Sequence, residues 1–117
     1  MKFLLTDDSA FMRNILKNLV AESWPDVEIL EAGNGNDCID IFRTQHPDLI
    51  LLDMIMPGKE GIDVLEEIGS EATVVVISAV GQEEMINDAK DLGAKDFINK
   101  PFDKGRVTST IKTVLGI

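Results

Sequence analysis

Five side chains in this sequence have types that could act together: the adjacent acids Asp7 and Asp8, a third acid Asp53, the hydroxyl of Ser78 and the ammonium of Lys100. Each follows a short apolar run. Phe3-Leu4-Leu5 precedes the acidic pair, Leu49-Ile50-Leu51-Leu52 precedes Asp53, Val74-Val75-Val76-Ile77 precedes Ser78, and Asp96-Phe97-Ile98 precedes Asn99-Lys100-Pro101. Steps of 45, 25 and 22 residues separate Asp8, Asp53, Ser78 and Lys100, so only a fold that gathers the ends of these runs can join them. Three neighbouring carboxylates raise one another's pKa unless a cation lies among them. Oxygen donors without Cys or His select a hard ion, and two or three carboxylates plus water suit Mg²⁺ better than the larger oxygen cage that Ca²⁺ takes. Beside a lysine and a hydroxyl, Mg²⁺ can neutralise the oxygens of a transferring phosphoryl group while one carboxylate attacks phosphorus. Asp53, at the end of the run that reads as a central strand, is the expected nucleophile.

The elements that must position these residues are legible as well. Continuous apolar runs suit strands covered on both faces, as in a parallel sheet. A less pure run, Val27-Glu28-Ile29-Leu30, supplies another strand. Between the runs lie stretches of helical period: Phe11, Ile15, Leu16, Leu19 and Val20 before Trp24-Pro25; Cys38, Ile39, Ile41 and Phe42 before His46-Pro47; Ile62, Leu65 and Ile68 before Gly69; Met85, Ile86, Ala89 and Leu92 before Gly93; then Val107, Ile111, Val114 and Leu115. Proline and glycine end these stretches. Strand and helix thus alternate five times, which predicts an α/β fold, a doubly wound (βα)5 parallel sheet with residues 1–117 as one domain; among doubly wound forms the flavodoxin-like order 2-1-3-4-5 is chosen. In such sheets ligands bind beyond the carboxyl ends of the strands, where all five reactive residues fall.

Charge sets further limits. The 117 residues carry a net charge of −10, which disfavours nonspecific nucleic-acid binding, since that affinity comes from Lys and Arg neutralising phosphates. From position 81 onward six acids face six bases, so the whole excess lies in residues 1–80. No apolar run approaches a membrane span, and the N-terminal apolar stretch is too short for a signal peptide. With one cysteine, Cys38, an internal disulfide is impossible, and a cytoplasmic protein is expected. Cys38 and Met54 and Met56 are expected in packing roles, and His46 in solvent.

Four motifs in order, TDDSAFMR at Thr6–Arg13, LLDMIMPGKEG at Leu51–Gly61, SA at Ser78-Ala79 and GAKDFINKPF at Gly93–Phe102, resemble the bacterial response-regulator receiver domain. The resemblance spans the whole chain and is greatest to stand-alone chemotaxis regulators of the CheY type. It implies that Asp53 accepts a phosphoryl group from a phosphohistidine on a sensor histidine kinase. It further implies that Asp8, Asp53 and the main-chain carbonyl of Ile55 bind Mg²⁺ directly, with Asp7 acting mostly through water. Lys100 would pair with the phosphoryl oxygens across a cis Lys100-Pro101 peptide, Ser78 would swing toward them, and Phe97 would move inward. The face made by the fourth helix, fifth strand and fifth helix would thereby change. Its partner would be a protein such as a flagellar motor switch component, with neither nucleic acid nor membrane involved. The domain would act as an enzyme only in its own phosphorylation and dephosphorylation.

Ser78 stands where Thr is more frequent, and Phe97 where Tyr is common. Ile55 and Val80, two past the acceptor and two past the hydroxyl, are apolar where polar groups often position attacking water, which predicts a long-lived aspartyl phosphate. Three other functions fit parts of the pattern. A phosphorelay intermediate would pass its phosphoryl group to a second histidine. A Mg²⁺-dependent phosphatase with an Asp nucleophile would need a second acid where Ile55 stands. A flavin-binding electron carrier would need a loop that welcomes phosphate after the first strand, where Asp7 and Asp8 repel it.

Overall fold

Alternate residues of the apolar runs feed two separate cores, one on each side of a central sheet. A computed structural model describes every residue except Pro57, Val80 and Gln82. Its elements run β1 (Lys2–Thr6), α1 (Ala10–Ser23), β2 (Glu28–Ala32), α2 (Gly35–Gln45), β3 (Leu49–Asp53), α3 (Gly61–Ile68), β4 (Val74–Ser78), α4 (Glu83–Asp91), β5 (Asp96–Asn99) and α5 (Lys104–Leu115). All strand pairs are parallel, in the order β2-β1-β3-β4-β5, the predicted doubly wound arrangement. Successive strand side chains point to opposite faces. Leu4, Ile50, Leu52, Val74 and Val76 therefore pack under α2, α3 and α4 with Cys38, Val64, Leu65, Ile68 and Ala89. Phe3, Leu5, Leu49, Leu51, Val75 and Ile77 pack under α1 and α5 with Leu16, Val20, Val107 and Ile111. Both faces of β3 and β4 are buried throughout, which is why those runs lack polar alternation.

Two sequence expectations are corrected. β2 starts at Glu28 and continues to Ala32, because Val27 is held in a turn by its N–H bond to the Trp24 carbonyl while the β1 ladder extends to the Thr6–Ala32 pair. β2 is an edge strand whose Leu30 packs on the α2–α4 side and Ile29 on the α1–α5 side, both only partly buried, while Glu28 and Glu31, one on each face, are exposed. On α1, Leu16 and Val20 are buried, whereas Phe11 is 72% exposed and Ile15 lies at the rim. At 100° per residue, Phe11 and Ile15 fall well round the helix from the Leu16–Val20 line that meets the sheet. Met12 and Ile15 instead line a cavity of about 420 Å³ with Lys100, Pro101 and Phe102.

At the opposite end of the sheet from the strand carboxyl termini, Gly69 and Gly93 bring the ends of α3 and α4 into backbone contact. Gly93 has φ +112°, and a Cβ on it would lie 2.4 Å from the Gly69 carbonyl oxygen. No helix among the described residues is long and apolar enough to cross a membrane.

Candidate acidic site at the carboxyl edge of the sheet

β1 ends at Thr6, so the chain leaves the sheet at Asp7. The Asp7 N–H still donates to the Ala32 carbonyl (3.2 Å), and its Oδ1 accepts the Ser9 N–H (2.9 Å). Ser9 caps α1 by accepting the Met12 N–H, which leaves both acids free of the capping role that their position suggests. Arg13 adds a tie that sequence reasoning missed. Its Nη1 donates to the Asp7 carbonyl at 2.6 Å and its Nε to Glu31 at 3.2 Å, so α1 holds the acidic turn against the end of β2. The signal was present, since Arg13 closes the TDDSAFMR motif, but a helix-surface arginine carries no pointer to its acceptor.

Asp53 is the last residue of β3 and only 7% exposed. Its Oδ1 accepts the Ile55 N–H at 3.4 Å. Burial, followed by the nearby Asp7 charge, pushes its carboxyl above the ordinary 3.8, while Lys100 and the Ile55 N–H pull the other way and Asp8 adds a weaker upward push. One carboxylate oxygen from each of Asp7, Asp8 and Asp53 lies within 4.8 Å of the others. The Lys100 ammonium stands 3.6 Å from Asp53 Oδ1 and 3.8 Å from Asp7 Oδ2. Lys100 is aimed there by its own backbone: its N–H donates to the Ser78 carbonyl at 2.7 Å, and the Lys100-Pro101 peptide is cis.

The donor set fits a hard divalent cation. Asp7 is 2% exposed, and its Oδ2 has no hydrogen-bond partner among the described residues, although a buried anionic oxygen needs one. One ammonium at 3.6–3.8 Å is neither close enough nor charged enough to balance three carboxylates. Residues that would hold such an ion are Asp7, Asp8 and Asp53, with Ile55 at the rim, its side chain exposed.

Ser78 and Phe97 lie on the neighbouring strands β4 and β5. Ser78 is buried at the end of β4, and its hydroxyl donates to Asn99 Oδ1 at 3.3 Å, a contact sequence reasoning missed. Phe97, on β5, is partly buried against the α2–α4 core, with the Lys90 ammonium 4.9 Å and the Arg106 guanidinium 5.9 Å from its ring centre. The neutral sum of the last third thus conceals a division: Glu83, Glu84, Asp88 and Asp91 are exposed on α4, while two cations embrace Phe97. Met54 and Met56 are buried, His46 is exposed, and burial pushes the Cys38 thiol up to about 11, which leaves it unreactive. Val80 and Pro57, to which the sequence also drew attention, lie outside the described residues.

A five-stranded parallel sheet of this order with acids gathered at its carboxyl edge defines a class. The chain belongs to the response regulator receiver domain family, whose sequence model matches residues 3–112, and it is therefore a two-component signalling domain. Among individual proteins, it is similar to the chemotaxis protein CheY of Bacillus subtilis (38% identity, 97% of both chains) and of Listeria monocytogenes (40% identity, 96% of both). In structure it is similar to the receiver domain of NtrX from Brucella abortus, with TM-score 0.89 and 28% identity over 97% of this chain and 98% of that one.

Proposed function

We propose that residues 1–117 form one receiver unit in which Asp53 takes a phosphoryl group from the phosphohistidine of a sensor kinase, with Mg²⁺ bound by Asp8, Asp53 and the Ile55 carbonyl and approached by Asp7 through water. The observation that carries this reading is the setting of Asp53: a nearly buried carboxylate beside two others, with the Lys100 ammonium at 3.6 Å. In the transfer, an Asp53 oxygen forms a bond to phosphorus as the P–N bond to the donor imidazole breaks, and the imidazole leaves with its electron pair and gains a proton. Bound Mg²⁺ supplies charge neutralisation for the phosphoryl oxygens. Lys100 pairs with those oxygens, and its fixed backbone spares the entropy of ordering it at the moment of reaction. Ser78 donates its hydroxyl to the phosphoryl group, Phe97 turns inward, and the surface of α4, β5 and α5 changes. This is a two-state equilibrium biased by local charge. Its similarity to chemotaxis regulators supports a cytoplasmic role in motility control, with a flagellar motor switch component as partner.

Incubation with acetyl phosphate and Mg²⁺ is expected to add one phosphoryl mass that hydroxylamine removes. Absence of the adduct, or an equal adduct on Asp53→Ala, overturns the proposal. Relief of carboxylate repulsion makes a second prediction. Mg²⁺ at a hundred times its Kd stabilises the folded state by about 2.7 kcal/mol, which is on the order of ten degrees in Tm for a domain of this size. NaCl of equal ionic strength should do much less, and Asp8→Ala should shrink the difference; scanning calorimetry reads both.

With apolar Ile55 half exposed at the rim, no side chain at that position orients an attacking water, so the aspartyl phosphate should be long-lived. Replacing Ile55 and Val80 together with Asn or Glu is expected to speed decay, followed by loss of the mass adduct with time. An unchanged decay rate would count against this account.

A further inference from the structure

We infer that Asn99 is a positioning residue that holds the Ser78 hydroxyl away from the acceptor and so opposes phosphoryl binding at Asp53, an inference that rests on the phosphoacceptor reading above. Ser78 and Asn99 are register partners on the paired strands β4 and β5, so their side chains leave the sheet on the same face. The Ser78 hydroxyl donates to Asn99 Oδ1 at 3.3 Å. A serine hydroxyl has one hydrogen to donate. Donation to Asn99 and donation to an oxygen on Asp53 are therefore mutually exclusive. Ser78 is 1% exposed, so water is poorly placed to take over either role.

Asn99 is also placed to report the outcome. It is exposed on its outer side and lines a groove of about 260 Å³ with Glu83, Ile86, Asn87, Lys90 and Phe97. When the Ser78 hydroxyl turns to the phosphoryl group, the Asn99 carboxamide loses its partner and becomes free to bond within that groove. The same contact thus couples the acidic site to the face on which Phe97 moves, and by linkage anything that displaces the Ser78 hydroxyl from Asn99 Oδ1 favours the phosphorylated arrangement.

The test is calorimetric titration with beryllofluoride, in Mg²⁺, as a stable phosphoryl mimic. A neutral hydrogen bond of this kind changes an equilibrium by about three- to tenfold, so Asn99→Leu is expected to bind the mimic tighter than wild type by that factor. In a Ser78→Ala background the same substitution is expected to change nothing, because the competing hydroxyl is gone. Asn99→Val, which suits a strand, serves if the leucine variant does not fold. Unchanged or weaker binding by the Asn99 variant, or an equal gain in the Ser78→Ala background, overturns the inference while leaving Asp53 as acceptor. Failure of the wild-type protein to bind beryllofluoride would remove the phosphoacceptor reading, and this inference with it.

Discussion

Asp53→Asn is expected to melt several degrees above the wild-type protein at neutral pH without divalent metal, and to take up no phosphoryl group from acetyl phosphate. The two effects have one origin. Burial first, and then the neighbouring Asp7 charge, raise the Asp53 pKa above the ordinary 3.8, so the folded chain holds that proton more tightly than the unfolded chain does. A carboxyl whose folded pKa is raised costs nothing below the ordinary value, where both states are protonated. Its cost grows as pH rises through the window from 3.8 to the raised value and is fully present above it. Asparagine removes the charge while keeping the shape, so the gain in Tm should be largest at neutral pH and should shrink as pH falls toward 3.8. Mg²⁺ should narrow the gap between the two proteins from the other side, by stabilising the wild type more. Calorimetry of both across that range checks the sign, and a variant that melts lower at neutral pH would show that Lys100 outweighs burial and repulsion. The site thus trades stability for function, as strained or repelling groups at active sites commonly do.

Gly93→Ala carries the largest expected loss. At φ +112° an alanine is strained by itself, and its Cβ would lie 2.4 Å from the oxygen and 2.8 Å from the carbon of the Gly69 carbonyl. Those are backbone atoms at the end of α3, so relief requires α3 and α4 to move apart at their carboxyl ends. Strain at a left-handed position and steric overlap with main chain together cost about 2–4 kcal/mol, read as a lower denaturant midpoint at unchanged slope. Gly105→Ala is the internal control. It sits in the first turn of α5, where an added Cβ would come no nearer than 3.4 Å to the Asp103 side chain. Alanine there should stabilise by up to about 1 kcal/mol through helix propensity. Because the Gly69–Gly93 contact is at the far end of the sheet from Asp53, Gly93→Ala should lose stability without losing phosphoryl uptake by the molecules that remain folded.

Membership of the receiver family accounts for the common architecture, but individual residues show how far sequence could reach. The five strands and five helices were legible because proline, glycine and a change of period from continuous runs to helical spacing bound them locally. Val27 and Phe11 were not, since edge position and angular position round α1 depend on what lies opposite. Lys90 and Arg106 counted in the sequence only toward the balanced charge after position 81, and the packing of α4 and α5 brings both to the Phe97 ring. Asn99 was given no role of its own in the sequence, yet it is the acceptor for the Ser78 hydroxyl.

By itself the sequence determined which elements form and that Asp7, Asp8, Asp53, Ser78 and Lys100 sit at strand ends on one edge, while the strand order was a choice among doubly wound forms that the structure bears out. The elements and their common edge follow from apolar pattern, chain breakers and the right-handed crossover, all of which act through the backbone. Only the tertiary structure decided that Asp7 Oδ2 is buried without a hydrogen-bond partner among the described residues, that Arg13 ties the acidic turn to β2, and that the Ser78 hydroxyl rests on Asn99. These depend on side-chain rotamers and on contacts of an ångström's tolerance between residues distant in the chain. Hydrogen bonds are short-ranged and directional, and no periodicity in one dimension encodes where their partners stand.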